Sequence, residues 1–149
     1  MSQNRKKRLA VGQSRRKPLS KTMLLPLPAI SVRELVLHHH LALAAFRVGK
    51  GNGGLLVELV KALYMAWYLQ EDGFGAAEHE LYLEAERILD AASRNASDDI
   101  WLIEVADCPS ITRILDLYEQ QLSSAPVYVV NEARARLRRF GESDKRSPW

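Results

Sequence analysis

Between Met23 and Phe140 the apolar residues recur every three or four positions, and almost nowhere do they alternate with polar ones. A half-buried strand needs alternation, whereas 3–4 spacing lays apolar side chains along one side of a helix. Gly, Pro and Asn punctuate the pattern into five helical stretches joined by connections of a few residues. The spacing predicts an all-α fold, a small bundle of about five helices. Val127-Tyr128-Val129-Val130 is the one run with strand character, and it has no second strand to pair with.

Each stretch carries its own boundary signals. Ser31 with Glu34 three residues on reads as a capping box, and Gly49 stands where a C-terminal cap is wanted. In this first helix Val36, Leu37, His40, Leu41, Ala44 and Val48 form the expected inner stripe, with Leu43 and Ala45 widening the apolar face. Asn52 should cap the second helix, about Gly53 to Asp72, which is apolar on most sides and should be the most buried. The third spans about Ala76–Asn95, with Tyr82, Ala85, Leu89 and Ala92 inward, Leu81 and Ile88 beside them, and glutamates outward. Trp101, Leu102 and Ile103 then anchor the chain before a fourth helix, about Glu104 to Ser123. Its stripe is Ile111, Ile114, Leu115, Tyr118 and Leu122. Pro126 opens the fifth, which runs to about Phe140 with Val130, Ala133, Leu137 and Phe140 inward. Met23 to Ile30, broken by Pro26 and Pro28, should be an extended strap laid on the body by its leucines.

Charge divides the 149 residues differently. Residues 1–22 hold eight Lys or Arg and no acid, residues 23–130 hold 7 basic and 15 acidic groups, and residues 131–149 hold 6 and 3. A segment of like charges with little to bury should not fold alone. The expected organisation is a disordered basic arm over 1–22, a helical domain over 23–141 and a frayed tail over 142–149. The single Cys108 excludes an internal disulfide and a multi-thiolate zinc site. No apolar run approaches the roughly 20 residues that cross a bilayer, and Ser14-Arg15-Arg16 is not followed by a convincing export signal. A cytoplasmic protein with no membrane partner is expected.

Three constellations invite catalytic or metal readings, and each has a simpler one. His38-His39-His40 occupies consecutive helix positions, which point about 100° apart and cannot converge on one ion. One buried and two exposed imidazoles are expected. Gly49-Lys50-Gly51-Asn52-Gly53-Gly54 follows a helix rather than a strand and places its Lys before the later glycines, unlike a phosphate-binding loop. It reads as a turn between antiparallel helices. Glu78, Glu80, Glu84, Glu86 and Asp90 lack the Glu-x-x-His partners of a di-metal bundle and read as solvated charge. No nucleophile–base motif is present. The expectation is no enzyme, no cofactor and no metal.

Basic side chains carry the remaining chemistry. Arg5, Lys6, Lys7, Arg8, Arg15 and Arg16, with Lys17 and Lys21, are suited to phosphate contacts without base specificity. Arg134, Arg138 and Arg139 could extend that track along the fifth helix, Arg134 and Arg138 being one turn apart. Residues 126–130, mostly apolar, do not suit the first turns of a recognition helix, so the last two helices read as an ordinary hairpin.

The run from Leu41 to Leu122 resembles a group of short proteins of proteobacterial phages, prophages and mobile elements that carry the label "Fis-family transcriptional regulator". The matching residues are His40-Leu41-Ala42-Leu43, Leu63-Tyr64-Met65-Ala66-Trp67-Tyr68-Leu69, Trp101-x-Ile103 and Ile114-Leu115-x-Leu117-Tyr118-x-x-Gln121-Leu122. Lys17-Pro18-Leu19 and Leu24-Leu25-Pro26-Leu27 are similar to their N-termini. The resemblance implies a helical regulatory protein and identifies no functional residue. The leading expectation is therefore a non-enzymatic regulator with DNA or RNA as partner. The alternative is an adaptor or inhibitor of a host protein, acting through the acidic body or through Tyr64, Trp67 and Tyr68. A homodimer is compatible with either.

Overall fold

The computed structural model describes residues 17–149. Arg5, Lys6, Lys7, Arg8, Arg15 and Arg16, and with them most of the predicted arm, lie outside the described residues. The described chain is all-α: a 3₁₀ turn at Lys21–Leu24 and then α1 (Ala29–Arg47), α2 (Gly53–Glu71), α3 (His79–Arg94), α4 (Cys108–Ser124) and α5 (Val127–Gly141). No strand occurs among the described residues, and Val127 to Val130 open α5.

α2 is the central element, packed by α1, α3, α4 and α5. Its start follows directly from sequence: the Asn52 side chain accepts a hydrogen bond from Leu55 N at 2.9 Å, satisfying one donor that the first turn leaves free. From Ala62 to Leu69 every residue but Trp67 is buried, because neighbours surround the helix on most sides. The predicted inner residues of α3 and α4 are all buried.

α1 departs from expectation in both start and facing. It begins at Ala29 behind Pro28, so Ser31 and Glu34 lie within the helix and form no capping box. Its buried side is Val32, Val36, His39, Ala42, Leu43 and Phe46. Ile30, Leu37, Leu41 and Val48 are instead exposed, an apolar stripe with nothing packed on it among the described residues. α1 carries two overlapping 3–4 patterns, and the one containing the larger Phe46 faces the core. His39 is consequently the buried imidazole, while His40 lies half-exposed with Nε2 3.8 Å from Asp116.

The other boundaries shift for local reasons. α3 starts at His79 rather than Ala76 because the Gln70 side chain holds Ala77 at both backbone groups: Ala77 N donates to Oε1 at 2.8 Å and Nε2 donates to Ala77 O at 2.9 Å. With those groups satisfied by a side chain, Ala77 stays outside the helix. α4 starts at Cys108, which puts Pro109 in the first turn where its missing N–H costs nothing. In the strap expected over 23–30, Met23 and Leu24 belong to a 3₁₀ turn with Lys21 and Thr22 of the expected arm, and Ala29 and Ile30 already belong to α1. Leu24 and Leu25 are exposed, and Leu27 is the leucine that reaches the core. Leu25 O accepts from Val127 N at 2.9 Å, tying the strap to the start of α5.

The tail is docked, not frayed. Trp149 sits edge-on to Tyr64 and Trp67, with ring centroids 5.5 Å from each, and also touches His79 and Tyr82. Ser147 donates to Glu86, which also accepts from the Tyr64 hydroxyl at 2.9 Å, and Arg146 lies 3.6 Å from Asp90. Serines and charges in this tail conceal one large apolar ring with a slot waiting for it. The same contacts correct the reading of the acidic set as purely solvated charge.

Candidate nucleic-acid interface

α5 presents its arginines in two directions. Arg134 and Arg138, four residues apart, share one face, and both are exposed with no ion pair among the described residues. Arg136 faces the other way. It pairs with Glu71, reaches Asp72 at 3.2 Å and lies over the Tyr68 ring at 4.6 Å. Two carboxylates at the C-terminal end of α2 thus hold one arginine in place, and its stacking uses the flat guanidinium. Arg139 is exposed beside that cluster, bordering a hollow with Tyr68, Glu71 and Lys145.

Lys17 and Lys21 are exposed at the root of the arm. The 3₁₀ turn containing Lys21 packs against α5. Val127 lies about 10 Å from Arg134 and about 16 Å from Arg138 along the helix axis. The sequence-predicted cations that are described therefore gather on one helix and the segment tied to its start, with Arg139 turned away from the Arg134–Arg138 face. Among the described residues no group of three or more His, Cys, Asp or Glu is placed to hold a metal ion. No helix among them is long and apolar enough to cross a membrane.

Two buried titratable rings lie behind the arginines. His39 and Tyr118 are each 4% exposed, with ring centroids 5.8 Å apart. Burial lowers the His39 pKa and outweighs the opposing effect of Glu58, while His38 and His40 lower it further. Burial also pushes the Tyr118 hydroxyl up to about 12, with Arg134 pulling the other way and Glu58 adding to the rise. The imidazole is the group with a consequence near neutrality. A base held below its ordinary value takes up a proton more readily in the unfolded chain, so stability is full above about pH 6.5 and falls as pH drops through that value. The expected loss approaches about 1.4 kcal/mol per pH unit below it, until the folded-state group itself titrates. Urea midpoints measured between about pH 7 and 5.5 should fall for the native chain and fall less for His39→Asn; parallel curves would show that His39 is not responsible.

Tyr64 and Tyr82 are pushed up as well, Tyr64 by burial and then by its hydrogen bond to Glu86, and Tyr82 by burial, which outweighs the opposing effect of the nearby Gln121 amide. These rings belong to the core and the tail slot. They are not free anchors for a partner: Tyr64 and Tyr68 are buried, and Trp67 is covered by Trp149. No protein-family model, no curated protein and no solved structure matches this chain.

Proposed function

We propose that the protein is a non-enzymatic, nucleic-acid-associated regulator that grips phosphates with its basic N-terminal arm and with the arginines of α5. The observation that carries this reading is the tie between Leu25 O and Val127 N. It roots the cationic segment on the helix that bears Arg134 and Arg138, whose guanidinium groups have no carboxylate partner among the described residues. One polyanion can then run from Lys17 and Lys21 along α5, and the net-acidic remainder of the body keeps the backbone from lying elsewhere. The resemblance of residues 41–122 to proteins labelled as transcriptional regulators supports the same assignment. Arg136, occupied by Glu71 and Asp72, takes no part.

The test is a fluorescence titration of duplex DNA and RNA with the full chain and with a chain lacking residues 1–22, at two salt concentrations. Affinity should fall by roughly 0.9 log unit per log unit of salt for each duplex phosphate neutralised. The shortened chain should bind at least about tenfold more weakly while keeping its helical circular dichroism, since the arm supplies eight of the cations. Arg134→Gln with Arg138→Gln should weaken binding further. Tight, salt-insensitive binding by the shortened chain would sink the proposal. An adaptor role acting through protein contacts would use the exposed stripe of α1, not Tyr64, Trp67 and Tyr68.

A further inference from the structure

Behind Arg134 and Arg138 a cleft of about 520 Å³ opens between α1, α2, α4 and α5. That volume lies within the range of small-molecule sites. Its polar lining comprises Glu58, Lys61, Asn131, Arg134 and Arg138 together with His39 and Tyr118, which are otherwise buried, so the little surface those two rings retain borders the cleft. His39 Nδ1 has no hydrogen-bond partner among the described residues. A buried imidazole without a partner loses its water for no return, and such groups in folded proteins call for an explanation. Leu35, Ala62 and Met65 supply apolar wall.

Charge at the rim is unbalanced. Lys61 is matched by Glu58 at 3.4 Å, which leaves Arg134 and Arg138 as the excess. Lys61, Leu137 and Arg138 also border a second hollow of about 370 Å³, whose remaining wall is Leu56, Val57, Val60, Tyr64, Phe140 and Gly141. The second hollow is almost wholly apolar in its side chains. The two clefts share Lys61, Leu137 and Arg138, the first carrying further polar and cationic groups and the second otherwise lined by apolar side chains and the Tyr64 ring.

We propose that this pair of clefts binds a fatty-acid-like carboxylate, its head at Arg134, Arg138, His39 and Tyr118 and its aliphatic tail across Leu137 into the groove between α2 and α5. A guanidinium fork matches a carboxylate in shape and charge, and a neutral imidazole and a phenol can each bond a carboxylate oxygen. The tail groove offers no polar side chain to a ligand beyond Lys61 and Arg138 at its junction with the head and the Tyr64 hydroxyl, which is engaged by Glu86. The proposal stands whether or not the protein binds nucleic acid, although a bound acid would occupy two of the arginines assigned to phosphate contact.

Sodium octanoate, sodium butyrate and 1-octanol are the probes, titrated into the full chain and followed by NMR shift changes. Octanoate should saturate, with its shifts centred on His39, Tyr118, Leu137 and Arg138. Butyrate, four methylenes shorter, should bind at least about tenfold more weakly, and 1-octanol about tenfold more weakly for want of the charge. Arg134→Gln with Arg138→Gln changes exposed side chains only, and it should bring octanoate down to the level of the alcohol. Equal binding of octanoate and 1-octanol, equal binding of octanoate and butyrate, or shifts centred elsewhere would each overturn the assignment.

Discussion

Gly51→Ala is expected to cost about 3 kcal/mol or more of stability, for a reason unrelated to backbone freedom. A Cβ built on Gly51 would lie 2.5 Å from two ring carbons of Phe46 and 2.8 Å from a third. Real side chains do not approach so closely, and the Phe46 ring is 0% exposed, so it has no free space to turn into. Gly51 N also donates to Trp101 O at 3.2 Å, and Ile103 N donates to Phe46 O at 3.1 Å, which fixes the loop against the ring from a second side. Neighbouring glycines provide the contrast. Gly49 has a φ of +73° with only an ordinary van der Waals contact to Ile100 at 3.6 Å, and Gly73 has a φ of +95° with nothing near. Alanine at either should cost roughly 1–2 kcal/mol of backbone strain. Urea unfolding of the three alanine variants should rank Gly51 clearly first. Phe46→Leu, which opens room, should make the Gly51→Ala double variant less unstable than the two single losses added together. Simple additivity would mean that the ring is not the obstacle.

The second large effect is expected at Gln121. It is 1% exposed on the buried side of α4, and its Nε2 donates to Ala66 O at 2.9 Å and to Phe74 O at 2.8 Å. One side chain thus stitches α4 to α2 and to the turn that follows α2. Gly75 closes on the same spot: a Cβ there would meet Leu117 Cδ1 at 2.8 Å and Gln121 Nε2 at 3.1 Å. Gln121→Leu keeps the volume and removes both donors, leaving the Phe74 carbonyl short of a partner. Ala66 O keeps the Tyr82 hydroxyl, so one carbonyl is stranded at a cost of about 1–3 kcal/mol, partly offset because the Gln121 Oε1 removed with it has no partner among the described residues. Thermal unfolding should therefore begin lower by roughly 2–12 °C. A leucine variant as stable as the native chain would show that the stitch is dispensable.

Helices were legible wherever a single local feature decided them. Asn52 announces α2 by its own side chain, and the apolar registers of α3 and α4 leave only one side to bury. Reading failed where two patterns competed or where a distant group intervened. α1 offers Leu37, Leu41 and Val48 as readily as Val36, His39, Leu43 and Phe46, and periodicity alone does not say which side meets α2 and α4. The start of α3 depends on Gln70, and the docking of the tail depends on a slot formed by α2 and α3; neither partner adjoins the segment it controls. Gln121 gave a signal that went unused: it stands three residues after Tyr118 in the apolar register, where a polar side chain must find partners. The arginines of α5 were visible as charges, but only packing separates occupied Arg136 from unpaired Arg134 and Arg138. The His39–Tyr118 cleft was not legible, because it joins residues of α1 and α4 far apart in the chain.

The edge-on approach of Trp67 and Trp149 supplies a built-in optical reporter. Two indoles this close couple their electronic transitions, and the resulting paired circular-dichroism bands depend on both rings keeping their mutual angle. Release of the last residues from the body would extinguish that signal while the amide bands of the five helices stayed unchanged. A spectroscopist could thus follow the chain end separately from the bundle, without attaching a dye.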